Sequence, residues 1–103
     1  MTNDELRLAL LQMTYDASER GELPLQTGNY VEAFKGQIDG DPWPQVNSAL
    51  ESLMASHAII AERQEYAEPP YLTLLVRAIT PTGIEIIENG IRASDARRAR
   101  DDI

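Results

Sequence analysis

Few residues in this chain have the chemistry to move a proton or hold a metal: His57, its single histidine, Asp39 and Asp41 around Gly40, and Asp16 with Glu19. Imidazole titrates near neutrality and serves as a general base or metal ligand. His57, however, ends a helical pattern on the side expected to pack, which suits a hydrogen-bonded structural residue. Asp39 and Asp41 lack the further oxygen ligands and closing glutamate of a calcium loop, and a turn followed by a helix N-cap accounts for both. Asp16 and Glu19, three apart, become an acid and base only inside a cleft, and are read as solvated. The absence of cysteine excludes disulfides, thiolate metal sites, iron–sulfur clusters and cysteine nucleophiles. No phosphate-cradling glycine loop and no nucleophile with its base occurs. The reading is of a non-enzyme with no cofactor and no metal.

The elements that would position these groups fit one domain over residues 1–103. A hydrophobic fraction of 43% with 25% charged residues is that of a folded globular chain. No apolar run is long enough to span a bilayer, and Met1 to Glu5 lacks a basic signal-like opening, so a cytoplasmic location without a membrane role is expected. Seventeen acids against nine bases give a net charge of −8, which opposes nonspecific attraction to nucleic acid. Residues 1–62 carry ten acids and three bases, residues 71–103 five of each.

Thr2 ahead of Glu5 has capping-box spacing and starts a first helix that Arg20-Gly21 ends. Leu6, Leu10, Met13 and Ala17 form its packing stripe; Leu8, Leu11 and Tyr15 form a second one, which either packs as further core or makes a subunit contact. Thr27 is expected to cap a second helix carrying Tyr30, Val31 and Phe34. Asp41-Pro42 opens a third, with Val46, Leu50, Leu53, Met54 and His57 packed and Gln45, Ser48, Glu51, Ser52 and Ala55 pointing away. Trp43, between Pro42 and Pro44, is read as a staple over the junction of the second and third helices. A hairpin follows, its return strand turning Leu72, Leu74, Val76 and Ala78 inward and Thr73 and Arg77 outward, with Tyr66 and Tyr71 facing each other. Thr80-Pro81 starts a last helix packed through Ile84, Ile87 and Ile91, and residues 92–103 form a charged extension.

The order helix, helix, helix, hairpin, helix resembles the winged helix-turn-helix plan, an α+β fold. The run from Val46 to Ile60 is similar to the third helix and first wing strand of bacterial winged-helix regulators. Thr80-Pro81-Thr82-Gly83 resembles the threonine, two residues, glycine start of the helix after the wing in MarR-like and PadR-like regulators. The resemblance implies a transcriptional regulator that inserts its third helix into the major groove of double-stranded DNA as a homodimer. Gln45, Asn47 and Ser48 would then read bases, while Lys35 and Arg63 would contact phosphates.

That third helix holds no Arg or Lys, and the wing segment from Glu62 to Pro70 sets Glu62, Glu65 and Glu68 against Arg63. A surface facing DNA is ordinarily basic. The alternative is an acidic winged-helix module that binds a protein partner and no DNA.

Overall fold

The computed structural model describes residues 2–65 and 72–89. They form an α+β domain of four α-helices and a three-stranded antiparallel sheet. The order is α1 (Asn3–Glu19), β1 (Leu25–Gln26), α2 (Thr27–Phe34), a 3-10 turn (Lys35–Gln37), α3 (Pro42–Ala55), β2 (Ile59–Glu65), β3 (Leu72–Ile79) and α4 (residues 81–89). The Tyr66–Tyr71 pair, Ile91 and the extension over residues 92–103 lie outside the described residues.

Local chemistry sets the boundaries. Thr2 accepts from the Glu5 amide, and Asp41 accepts from the Trp43 amide with proline in the first turn of α3. Both caps satisfy amides that a helix start leaves unpaired. α1 and α3 end alike. At α1, Gly21 has φ +68°, its amide bonds Ser18 O, and the Glu22 amide reaches back to Ala17 O. At α3, His57 has φ +61°, its amide bonds Met54 O, and the Ala58 amide bonds Leu53 O. Each is a Schellman turn with a left-handed residue just past the helix. His57 therefore leaves the packing face and is exposed, correcting the expectation that it packs inward.

Helix α2 is capped one residue earlier than expected. The Gln26 amide donates to Asn29 Oδ1 at 2.8 Å, and Thr27 is wholly buried as the first helical residue. Its Oγ1 donates to Asn47 Oδ1 of α3 at 2.7 Å and accepts from the Leu74 amide of β3 at 2.8 Å. Strand β1 pairs Leu25 with Val76 and Gln26 with Leu75, then stops. The Thr27 hydroxyl thus satisfies the next outward β3 amide, where no β1 carbonyl remains.

The strand order β1-β3-β2 places β3 in the middle. Leu74 and Val76 are fully buried against the helices, and Thr73, expected outward, is also buried at 5% exposure, correcting the expected alternation. The β2–β3 register shifts between Ile60 and Ala61, leaving Arg77 as the extra residue. Leu6, Leu10 and Leu11 of α1, Tyr30 and Val31 of α2, Val46, Leu50 and Leu53 of α3 and Ile87 of α4 complete the core. Each fully buried leucine among them contributes about 1.5–3 kcal/mol.

Helix α4 is seated by its first turn. The Thr80 amide bonds Ala58 O, its hydroxyl donates to His57 O, and the Gly83 amide donates to Thr80 Oγ1. A Cβ on Gly83 would run into the carbonyl oxygen of Ala58 and the side chain of Ile79. The Thr-x-x-Gly spacing therefore has a physical basis here: a cap, then a residue that lets two backbones touch.

Gly83→Ala should cost at least about 2–3 kcal/mol, the scale of severe overpacking. Thermal melting should record it as a fall of about 10–20 °C. A second prediction concerns Tyr30, which is fully buried with its hydroxyl 2.7 Å from Thr14 Oγ1. Thr14 spends its own proton on Leu10 O, so Tyr30 donates. Burial pushes the Tyr30 phenol up to about 12, above an unfolded value of about 10. The neutral form is the one the fold keeps, so this contribution is complete below pH 10 and is lost between about pH 10 and 12. Urea titrations in that window should show about 2–3 kcal/mol of alkaline destabilisation, and Tyr30→Phe should remove most of that slope.

Candidate functional site

The outer side of α3 and the ground beside it are where the sequence placed its readers. Gln45 is half-buried, and its Nε2 donates to Asp39 O at 2.5 Å and Asp41 O at 3.3 Å. That amide tethers the loop ahead of α3, where Gly40 has φ +82°, rather than reaching outward. Asn47 is half-buried and accepts from Thr27 through its side-chain oxygen. Of the three expected base readers, Ser48 alone is exposed.

The expected phosphate contacts are also engaged. Lys35 Nζ lies 2.8 Å from Glu32, and Arg63 lies 3.1 Å from Glu51 of α3. Arg63 pairs in register with the inward-facing Leu74, so it sits on the sheet face that meets α3. Arg77 lies 2.9 Å from Glu62, Arg20 lies 3.3 Å from Glu22, and Arg7 contacts Asp4. Each of the five cations among the described residues therefore has a carboxylate partner, while thirteen acids stand among those same residues. Exposed pairs of this kind contribute about 0–1 kcal/mol to stability. Their larger effect is on the field, since every described positive charge is locally offset.

The second stripe of α1 is not one surface. Leu11 is fully buried in the core, Tyr15 packs against that core from its edge, and only Leu8, at 44% exposure, faces outward. The reason is rotational: α1 buries Leu6, Leu10, Leu11, Thr14 and Ala17, which turns the core face past Leu11 and spends the buried Thr14 hydroxyl on Leu10 O. Trp43 packs against the core with its ring over Gly28 of α2, the staple position read from its flanking prolines.

Two open grooves meet along the seam between α1 and α3. A polar one of about 400 Å³ is lined by Asn3, Arg7, Gln45, Ser48 and Ser52. An apolar one of about 490 Å³ is lined by Leu8, Leu11, Leu53 and Ile86, with Asp4, Arg7, Ser52 and Ser56 at its rim. Arg7 and Ser52 belong to both, and Arg7 donates to Ser52 Oγ at 3.3 Å. Leu8 and Ile86 are two of the three large apolar side chains exposed among the described residues; Ile60 on the outer strand β2 is the third. Sequence reasoning missed this trough. The signal available was Ile86, an isoleucine off the Ile84–Ile87 packing face.

No protein-family model matches the chain, and searches of curated proteins and of solved structures return no match either. Among the described residues no group of side chains is arranged to hold a metal ion, and no helix is long and apolar enough to cross a membrane.

The site geometry makes Thr27 and Asn47 structural. Thr27→Val, which removes the hydroxyl at nearly constant volume, leaves the buried Leu74 amide unpaired and should cost about 1–3 kcal/mol. Ser48→Ala should change stability by less than about 0.5 kcal/mol. Paired urea titrations read both.

Proposed function

We propose that this chain is a protein-binding module on the winged-helix plan, not a reader of DNA. The order of three helices, hairpin and helix supports the plan. The observation that carries the function is the pairing of every described cation with a carboxylate. A phosphate approaching this surface must break an ion pair to gain one, against a body whose acids outnumber its bases. Counterion release, the main source of affinity for a nucleic-acid backbone, then has little to work with. Two of the three polar side chains that would read base edges are fixed inside the fold. The α1–α3 trough supplies what a protein partner uses: apolar anchoring ground at Leu8 and Ile86 beside a polar strip at Ser48 and Ser52. An acidic surface favours a partner that is basic around its anchor.

Fluorescence anisotropy at low ionic strength, where phosphate contacts are strongest, should show no saturable binding of mixed-sequence duplex up to about 100 µM. A photo-crosslinking residue at Ser48 should capture a discrete protein in cells, and Leu8→Asp should abolish that adduct. Saturable duplex binding that falls with salt and is lost in a Gln45→Glu, Ser48→Glu variant would restore the DNA reading; absence of any Leu8-dependent adduct would remove the protein-binding one.

A further inference from the structure

Strand β2 is the outer strand of the sheet, and among the described residues no strand pairs with its far side. Every second residue of such an edge turns its amide and carbonyl away from the sheet, ready to pair with another chain. A groove of about 420 Å³ lies beside it, lined by Met54 and Ala55 of α3 and by Ile59, Ile60 and Ala61 of β2, with Glu51 and Arg63 also on its walls. Ile60, at 55% exposure, is the most open of the large apolar side chains among the described residues. We infer that this edge adds a strand from a partner protein, antiparallel to residues 59–63, that sets an aliphatic side chain in the groove and an acid and a base against Arg63 and Glu62.

Alternation defines what that strand carries. Ala61 and Arg63 pair with the buried, inward-facing Val76 and Leu74, so they share the face that meets α3, and Ile60 and Glu62 take the other. Opposed residues of an antiparallel pair point to the same face. A side chain opposite Ala61 therefore enters the space beside Met54 and Ala55, which the small alanine leaves open. One opposite Ile60 covers exposed aliphatic surface. Arg63 lies 3.1 Å from Glu51, and Glu62 lies 2.9 Å from Arg77. An acid opposite Arg63 and a base opposite Glu62 extend each pair into a row of alternating sign. In its own direction the incoming strand is acid, base, aliphatic, aliphatic.

A second copy of β2 meets none of these requirements. Antiparallel pairing about a two-fold axis centred on Ala61 sets Ile60 opposite Glu62. Centred on Glu62 it sets that carboxylate opposite its own copy, and centred on Arg63 it does the same to the guanidinium. An inward-pointing charge on an edge restrains such self-association; here it also selects the partner. The edge shares no lining residue with the apolar groove at Leu8 and Ile86, and the inference does not rest on that groove.

The test titrates the full chain, isotope-labelled for NMR, with the capped peptide Thr-Glu-Lys-Val-Ile-Val-Thr and with the same peptide carrying Glu and Lys exchanged. Alternate amides of residues 59–63 should exchange quickly with solvent in the free protein and become protected by the first peptide. The exchanged peptide turns two opposite-charge pairs into like-charge pairs and should bind about tenfold more weakly. Ile60→Thr, which keeps strand propensity at an exposed position, should weaken the first peptide about fivefold with an unchanged Tm. Slow exchange at every amide of residues 59–63 in the free protein, no protection up to the peptide's solubility limit, equal affinity for the two peptides, or shifts confined to Leu8 and Ile86 would each overturn the inference. The Ser48 adduct reports on the trough alone, so either reading can fail without the other.

Discussion

A single buried hydroxyl sets the arrangement of this domain. Thr27 Oγ1 donates to α3 through Asn47 and accepts from β3 through the Leu74 amide. It stands where β1 ends after two residues, so a side chain finishes what a strand begins. Buried polar groups are tolerated when both ends are satisfied and are costly when one is not. Threonine's hydroxyl serves as donor and acceptor at once, which ties a helix and a strand to the start of α2. The orientation of α3 follows from this, and so does the fate of Asn47, which is spent on the fold before it can meet anything outside.

The same economy runs over the surface. Arg7 bridges Asp4 and Ser52, Arg63 crosses from β2 to Glu51 of α3, and Arg77 crosses from β3 to Glu62 of β2. These cations connect elements rather than forming a patch. What remains exposed is a negatively charged body with apolar ground at Leu8, Ile86 and Ile60. On the reading proposed above, recognition would draw its affinity from apolar burial, with charge selecting which partners approach.

Much of the architecture was legible because its punctuation is local. Thr2, Asp41-Pro42, Arg20-Gly21 and Thr80-Pro81 start or stop elements through bonds within a few residues of one another, and each acts in the structure as its type requires. The hairpin was legible for a similar reason, since period-two alternation in Leu74 and Val76 needs no distant information. What escaped depends on partners far along the chain. β1 is two residues long, too short to carry a pattern. Thr14 and Thr73 look like surface residues in a sequence, yet both are buried, and Thr14 satisfies itself on its own helix. Whether Leu11 is core or contact stayed open because alternative stripes on an apolar helix differ by a small rotation, which only tertiary packing decides; it is core, and Leu8 is exposed. The site was least legible of all: residue type nominates an amide as a reader, but only a neighbour twenty positions away shows that Asn47 is already occupied.

The direct seating of α4 on the end of α3 through Gly83 has a bearing on selectivity. With no side chain between them, the α4 backbone rests on the Ala58 carbonyl and has no padding to compress. This contact ties the helix bearing Ile86 directly to the turn that follows Leu53 and the end of α3. Under the protein-binding reading proposed above, this favours a guest that fits the existing gap over one that needs it widened.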